Sequence, residues 1–215
     1  FFPHSLAVAP GRGAGNAPTV LIASPDGLEQ AASFPAYGTS GYGANVGAGD
    51  IDGGLAEALT GPGPSPVFGP HVRAFRPDGT SLPKVNFYAY GTLRFGVRPA
   101  GGDIDGDGIA EVLTAPGEGT VFGPHIRAFN FDGGPLTAIN KVSFFAYQTL
   151  KWGARVAGGD IDGDATRELL TGPGPGAAFG PVVRGFNYDG SQVTAMGKVS
   201  FLAFSTGFYG ATVAA

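Results

Sequence analysis

Three short segments of the chain place carboxylates at alternate positions: DIDGDGIAE at 103–111, DIDGDATRE at 160–168 and DIDGGLAE at 50–57. Calcium takes about six to eight oxygen ligands, and a tightly curled loop brings alternate side chains inward to supply them. The first of these segments offers oxygens at positions 1, 3, 5, 7 (a backbone carbonyl) and 9, which belong to Asp103, Asp105, Asp107, Ile109 and Glu111. This spacing predicts a calcium-binding loop.

The other two segments differ in how many of these ligands they keep. The segment 160–168 keeps them all, in Asp160, Asp162, Asp164, Thr166 and Glu168, although Ala165 stands where the first loop has a glycine. The segment 50–57 has Gly54 in place of the third aspartate and is one residue shorter, which leaves Asp50, Asp52 and Glu57. We therefore expect about two structural Ca²⁺ sites, and the occupancy of the third loop stays open.

The elements that position these loops follow from internal repeats. The first aspartates of the three loops are 53 and 57 residues apart, and each loop precedes a segment such as FGPHVRAFRPDG (68–79), FGPHIRAFNFDG (122–133) or FGPVVRGFNYDG (179–190). A weaker fourth copy, NAPTVLIASPDG, occupies 16–27. Runs in which residue type alternates with a period of two flank the Asp-Gly turns, and this pattern predicts strands joined by hairpins. With 39 Gly and 18 Pro in 215 residues, long helices are not expected.

Four such repeats of about 54 residues predict an all-β fold, a β-propeller of four blades with four antiparallel strands each, as a single domain over 1–215. The C-terminal YGATVAA matches the segment that precedes the acidic loop in other repeats, and the N-terminal SLAVAPG matches the segment that follows it. We therefore predict that the strand near 211–215 pairs with the blade containing 6–9 and closes the ring without a free edge.

These motifs resemble the FG-GAP repeats of integrin alpha subunit propellers and their bacterial relatives. Phe95-Gly96 match the FG element, 103–111 the cation loop, and Thr114-Ala115-Pro116 the GAP element. The resemblance spans essentially the whole chain, but that family usually builds seven blades. It implies calcium loops between the first and second strands of each blade on one face, ligand binding on the opposite face, and a secreted or cell-surface protein.

Arg94, Lys151 and Trp152 are expected on that opposite face and are predicted ligand contacts. Further predicted contacts are Arg98, Arg155, His71 and His125. Aromatic rings there suit a sugar or a protein partner. The equivalent Arg98 and Arg155, in the strand nearest the axis, either hold an anion or bond to neighbouring backbone carbonyls. The equivalent His71 and His125 either form a paired metal site or serve packing.

Composition narrows the function classes. A net charge of −4 with only 13 Lys plus Arg argues against a nucleic-acid surface. No run approaches the ~20 apolar residues of a membrane span. There is no Cys nucleophile, and the cation loops use the clustered carboxylates. The sequence thus favours a calcium-stabilised extracellular binding or adhesion module, lectin-like, for carbohydrate or a protein partner. The alternatives are a propeller enzyme of polysaccharide-cleaving type and a scaffold that binds a small ligand or ion in the central channel.

Overall fold

The computed structural model describes residues 5–39, 41–148, 151–176, 180–205 and 207–214 of the chain. Within these ranges the secondary structure consists of strands: β1 (Leu6–Val8), β2 (Thr19–Ala23), β3 (Gln30–Thr39), β4 (Ala44–Gly49), β5 (Glu57–Pro62), β6 (His71–Phe75), β7 (Ser81–Thr92), β8 (Val97–Gly102), β9 (Glu111–Pro116), β10 (His125–Asn130), β11 (Thr137–Phe145), β12 (Ala154–Gly159), β13 (Glu168–Pro173), β14 (Val182–Tyr188) and β15 (Val193–Leu202). The described residues contain no helix of the length and apolar character that a membrane span needs.

The strands form four consecutive antiparallel sheets, which confirms the all-β prediction and the repeated unit. Three sheets have four strands in chain order, β4 to β7, β8 to β11 and β12 to β15, and the first has three, β1 to β3. Each acidic segment is the turn between the first and second strands of a four-stranded sheet. The register pairs the residue before each turn with the glutamate after it, as Gly49 with Glu57, Gly102 with Glu111 and Gly159 with Glu168.

The second strand is the buried centre of each four-stranded sheet. Every residue of β5 and β9 is buried. The third strand alternates, so in β6 the side chains of Val72 and Ala74 are buried whereas those of His71 and Arg73 are half-buried. The fourth strand is largely exposed, as β11 and β15 show. This gradient places the core at the second and third strands and the fourth strand at the outside, the arrangement expected of a repeated sheet.

The first strands of neighbouring sheets approach one another too closely for side chains. A Cβ added at Gly101 in β8 would lie 2.6 Å from the Cα of Gly49 in β4, and one added at Gly158 in β12 would lie 2.8 Å from the Cα of Gly102. Only glycine fits where two backbones meet at this distance. Since these glycines lie at or near the ends of the first strands, they bring the acidic turns of successive sheets side by side.

Equivalent tyrosines link each sheet to the next by hydrogen bonds. The hydroxyl of Tyr37 donates to the carbonyl of His71 at 2.9 Å, and that of Tyr90 donates to the carbonyl of His125 at 2.7 Å. Tyr147 makes the equivalent bond to the carbonyl of Val182 at 2.6 Å. A repeated contact between successive sheets is what a propeller-like arrangement requires, because each unit buries its apolar face against its neighbour.

The structure does not show the predicted closure of the ring. Among the described residues β1 pairs with β2 alone, and the segment 207–214 carries no strand; Ala215 and residues 1–4 lie outside the described residues. The segment nevertheless follows the progression of the repeats. A Cβ at Gly172 would lie 2.2 Å from the carbonyl oxygen of Ala211, just as one at Gly61 would lie 2.2 Å from that of Val97.

Candidate metal centres

Each of the three acidic turns gathers three carboxylates. Ligand atoms of the first aspartate, the second aspartate and the glutamate lie within 4.8 Å of one another, in the triads Asp50, Asp52 and Glu57; Asp103, Asp105 and Glu111; and Asp160, Asp162 and Glu168. The glutamates are buried, with relative exposures of 2%, 0% and 1% for Glu57, Glu111 and Glu168. The aspartates are half-buried or exposed. One carboxylate thus lies at the floor of each triad and two lie at its rim.

Backbone hydrogen bonds curl the loop 103–111 around its first aspartate. Asp103 accepts hydrogen bonds from the backbone N–H groups of Gly106 at 2.7 Å and Gly108 at 2.9 Å. Both glycines have positive φ, 80° and 90°. In the loop 160–168 the residue equivalent to Gly108 is Ala165, which adopts φ 76° despite its Cβ. The left-handed conformation disfavours alanine by about 1 kcal/mol, so this second loop keeps its shape at a cost.

The aspartates at position 5 do not join the triads. Asp107 accepts a hydrogen bond from the backbone N–H of Ile109 at 2.8 Å, and Asp164 accepts one from that of Thr166 at 2.9 Å. Both carboxylates are therefore engaged with their own loops. The predicted carbonyl ligands at Ile109 and Thr166 stay predictions.

Two of the buried glutamates, Glu111 and Glu168, each have one oxygen without a hydrogen-bond partner among the described residues. In Glu111, Oε2 accepts a hydrogen bond from the backbone N–H of Ile104 at 2.7 Å, and in Glu168 the same atom accepts one from Ile161 at 2.8 Å. Oε1 of both glutamates is buried and has no hydrogen-bond partner among the described residues. A buried acceptor left unpaired costs about 1 to 3 kcal/mol, and more when charged. A cation bound at the triad would satisfy it.

The electrostatics of the triads also favour a cation. Burial, followed by repulsion from the aspartates of the same loop, raises the pKa of Glu111 to about 8. The same causes raise the pKa of Glu168 and, with burial again the larger, the pKa of Asp105. Like charges held together in a desolvated turn make ionisation unfavourable unless a positive charge is added. An oxygen-only set of carboxylates suits a hard divalent cation such as Ca²⁺.

The loop 50–57 has a cation of its own. Nη2 of Arg76, in the turn after β6, lies 3.5 Å from Oδ2 of Asp52. The equivalent positions of the other two sheets hold Asn130 and Asn187. Because Gly54 replaces the third aspartate, this loop has less negative charge than the other two. The guanidinium of Arg76 neutralises part of the charge that remains. The carboxylate triad of this loop is as compact as those of the other two loops. What distinguishes the loop is the neighbouring cation, Arg76.

The three loops lie next to one another at one end of the first strands. The backbone N–H of Ala110 donates to the carbonyl of Asp50 at 2.7 Å, and that of Arg167 donates to the carbonyl of Asp103 at 2.8 Å. A cleft of about 390 Å³ lies between the loops and the glycine-rich strand ends. The three acidic loops therefore share one end of the molecule.

Arg98 and Arg155 meet at the other end of the first strands, on a residue that sequence reasoning missed. Nη2 of Arg98 donates to Oε1 of Glu118 at 2.8 Å, and Nη2 of Arg155 contacts the same oxygen. Nη1 of Arg155 also donates to the carbonyls of Pro173 and Ala211 at 3.2 Å each. Arg155 thus bonds to both an anion and backbone carbonyls. Glu118 could have been noticed, because it is the only charged residue in the loops that follow the second strands of the four-stranded sheets.

The two predicted histidines lie in separate sheets and pack against aromatic rings. The ring of His71 stacks on Tyr88 with centroids 4.7 Å apart, and that of His125 stacks on Phe145 at 4.8 Å. Nε2 of His125 also lies 3.0 Å from Oγ of Ser143. Burial lowers the pKa of both imidazoles. Neither histidine belongs to a metal-compatible cluster in the described part of the chain, and their contacts are those of packing residues.

Trp152, another predicted contact, lies near Glu118. Trp152 is half-buried and has φ 89°, and a Cβ added at Gly176 would lie 2.3 Å from its ring. Phe95 has the equivalent conformation, φ 85°, and its ring packs in the same way on Gly119. A cleft of about 230 Å³ is lined by both rings and by Glu118.

Arg94 and Lys151, which precede the two aromatic residues in sequence, are exposed. The guanidinium of Arg94 donates to the carbonyl of Val67. Their exposure leaves both side chains accessible to a partner.

No protein-family model matches the chain, and no characterised protein matches it at a significant level. The resemblance to FG-GAP repeats therefore rests on the motifs of this sequence.

Proposed function

We propose that this protein is a calcium-stabilised binding module. The observation that carries the proposal is the pair of buried oxygens in Glu111 and Glu168 that lack a partner among the described residues, each within a triad of carboxylates. Ca²⁺ would be held by the triad oxygens, and its chemistry there is charge neutralisation. An ion that binds the folded form and not the unfolded form stabilises the fold by mass action.

The proposal includes two strong sites and a third, weaker loop. The loops led by Asp103 and Asp160 each have three aspartates and one glutamate, whereas the loop led by Asp50 lacks one aspartate and has Arg76 beside it. Calorimetric titration of metal-free protein with Ca²⁺ tests this, and we expect about two tight equivalents. Zero equivalents would contradict the calcium assignment, and three equal ones would contradict the role given to Arg76.

We also propose that the four sheets close into a four-bladed ring of the FG-GAP type. Apolar side chains remain exposed at both ends of the series: Leu6 at 47% and Val8 at 44% in β1, and Phe201 at 51% and Phe204 at 65% in and after β15. The equivalents of Phe201 in earlier sheets, such as Phe144, pack on the following sheet. Burying the two ends against each other would complete that pattern. Hydrogen exchange measures it: closure predicts protected amides in 6–9 and 211–214.

Recognition is proposed for the end opposite the metal loops, with carbohydrate or a protein partner as ligand, and with an extracellular or cell-surface location. The support is the separation of the acidic turns from the aromatic and cationic residues at the far ends of the first strands. Calcium sites of moderate affinity are filled outside cells, where calcium is abundant. A glycan-array screen with and without Ca²⁺ tests the ligand. Binding that survives Asp105→Ala in folded protein supports the two-ended arrangement, and binding abolished by it contradicts that arrangement.

A further inference from the structure

We propose that the cleft beside Glu118 binds the carboxylate of an acidic sugar, a uronic acid residue of a glycan. This inference rests on the proposed binding function and names the ligand class of its recognition end. The cleft, of about 230 Å³, is lined by Arg12, Phe95, Glu118 and Trp152 among others. Its volume is below the range of drug-sized pockets, so it suits one sugar residue with the rest of the chain outside.

The charge around the cleft favours an anion. Arg98 and Arg155 both contact a single oxygen of Glu118, so two guanidiniums face one carboxylate. Arg12 is the cation that lines the cleft itself, so the group around Glu118 carries three positive charges and one negative charge. Guanidinium groups pair with carboxylates in a planar, two-bond geometry when they are free to do so. Here each arginine uses only one nitrogen on Glu118, and hydrogen-bonding capacity is left over.

The arginines also have donors without partners. Nε of Arg98 and Nε of Arg155 are buried and lack a hydrogen-bond partner among the described residues. Burial lowers the pKa of Arg98, with Glu118 acting in the opposite direction. The carboxylate of Glu118 therefore does not fully compensate the positive charges of the two arginines that contact it. A second carboxylate, supplied by a ligand, would reduce this imbalance.

The aromatic walls point to a sugar as the carrier of that carboxylate. Phe95 and Trp152 line the same cleft. The ring of Phe95 packs directly on Gly119, and the ring of Trp152 packs directly on Gly176. A uronic acid combines an apolar face of C–H groups, which packs on an aromatic ring, with a carboxylate on the same ring. An acidic peptide carries its carboxylate on a flexible chain and has no such rigid face next to it.

The test is a calorimetric titration of calcium-loaded protein with trisaccharides of galacturonate, glucuronate and mannuronate, each beside its neutral counterpart. We expect at least one acidic trisaccharide to bind about 10-fold or more tightly than its neutral counterpart, because a charge-assisted hydrogen bond is worth about this factor. Triglutamate serves as the acidic-peptide probe. Higher salt should weaken uronate binding.

Two variants that should change uronate affinity in opposite directions make the test specific. Arg98→Gln should weaken uronate binding by about 10-fold or more, whereas Glu118→Gln should strengthen it by removing the competing carboxylate. Lys141→Gln, which removes a charge from an exposed position on an outer strand, is the matched control and should change nothing. A calcium-dependent melting curve for each variant verifies folding. If Arg98→Gln fails to fold, Glu118→Gln still decides the matter.

The outcomes separate this inference from the proposed function. Equal binding of acidic and neutral sugars overturns the inference and leaves a carbohydrate-binding module. Tighter binding of triglutamate than of any uronate overturns it in favour of a protein partner. No binding of any uronate overturns it as well, while the calcium titration independently decides whether the module is calcium-stabilised. Weaker uronate binding in Glu118→Gln would also count against it.

Discussion

Removing the buried carboxylate of the acidic loop 103–111 should have opposite effects with and without Ca²⁺. The substitution is Glu111→Gln, which keeps the size of the side chain and its capacity to accept the hydrogen bond from Ile104. In metal-free protein the variant should be more stable than the wild type at pH 8. In saturating Ca²⁺ it should be less stable, because a neutral amide is a poorer ligand than a carboxylate.

The magnitude follows from the pKa of Glu111, which is about 8 in the folded protein and 4.5 in its ordinary state. A folded-state pKa above the unfolded value contributes stability that is full below about pH 4.5 and is lost as pH rises to about 8. At about 1.4 kcal/mol for each pH unit between the two values, the free energy of unfolding of metal-free wild type falls by up to about 5 kcal/mol over this range. Glu111→Gln removes that contribution.

The assay is chemical denaturation of metal-stripped protein at pH 5 and pH 8, with and without Ca²⁺. Glu57→Gln is the matched control, because burial raises the pKa of Glu57 to about 7. The stability that wild-type Glu57 contributes in metal-free protein should therefore be lost between about pH 4.5 and pH 7, and it should amount to at most about 3 kcal/mol. Calcium should also affect that variant and the wild type by similar amounts. If metal-free wild type were equally stable at both pH values, or if Glu111→Gln lowered stability in metal-free buffer at pH 8, the reasoning about the buried carboxylate would be refuted.

Three further predictions concern the second loop, the inter-sheet ties and the aromatic loops. Asp162→Asn should remove one of the two tight calcium equivalents in a calorimetric titration, whereas Asp52→Asn should remove none; equal effects would contradict the ranking of the loops. Tyr90→Phe should lower the free energy of unfolding by about 1 to 3 kcal/mol in urea, since it leaves buried acceptors in the next sheet unpaired. Gly176→Ala should displace the ring of Trp152, because the new Cβ would lie 2.3 Å from it; an unchanged tryptophan fluorescence maximum and melting temperature would show that the ring is not held there.

The repeats and the acidic turns could be predicted from the sequence because both depend on local chemistry. Strand periodicity, Asp-Gly hairpins and glycine-rich turns act within a few residues, so four copies of the same pattern indicated four similar sheets. The triads could be predicted for the same reason. Aspartates at alternate positions of one turn need only a local bend to converge, and the glutamate pairs with the first strand directly across the hairpin.

Contacts between sheets decided the rest. The sequence placed Arg98 and Arg155 in equivalent strands, but their common partner Glu118 became visible only when two sheets were brought together. Arg76 became a neighbour of Asp52 through the approach of a turn 24 residues away. Burial of Glu111 and Glu168, and the orphaned oxygen of each, likewise depend on the surrounding structure.

The sequence by itself therefore determined the strand-rich repeat, the turns and the types of ligand atom, because each is set by interactions along a few consecutive residues. Tertiary structure alone decided which charges are paired and which remain unsatisfied. Charge pairing depends on distances between side chains far apart in sequence, and desolvation depends on how many neighbouring groups exclude water. Neither quantity can be read from spacing along the chain.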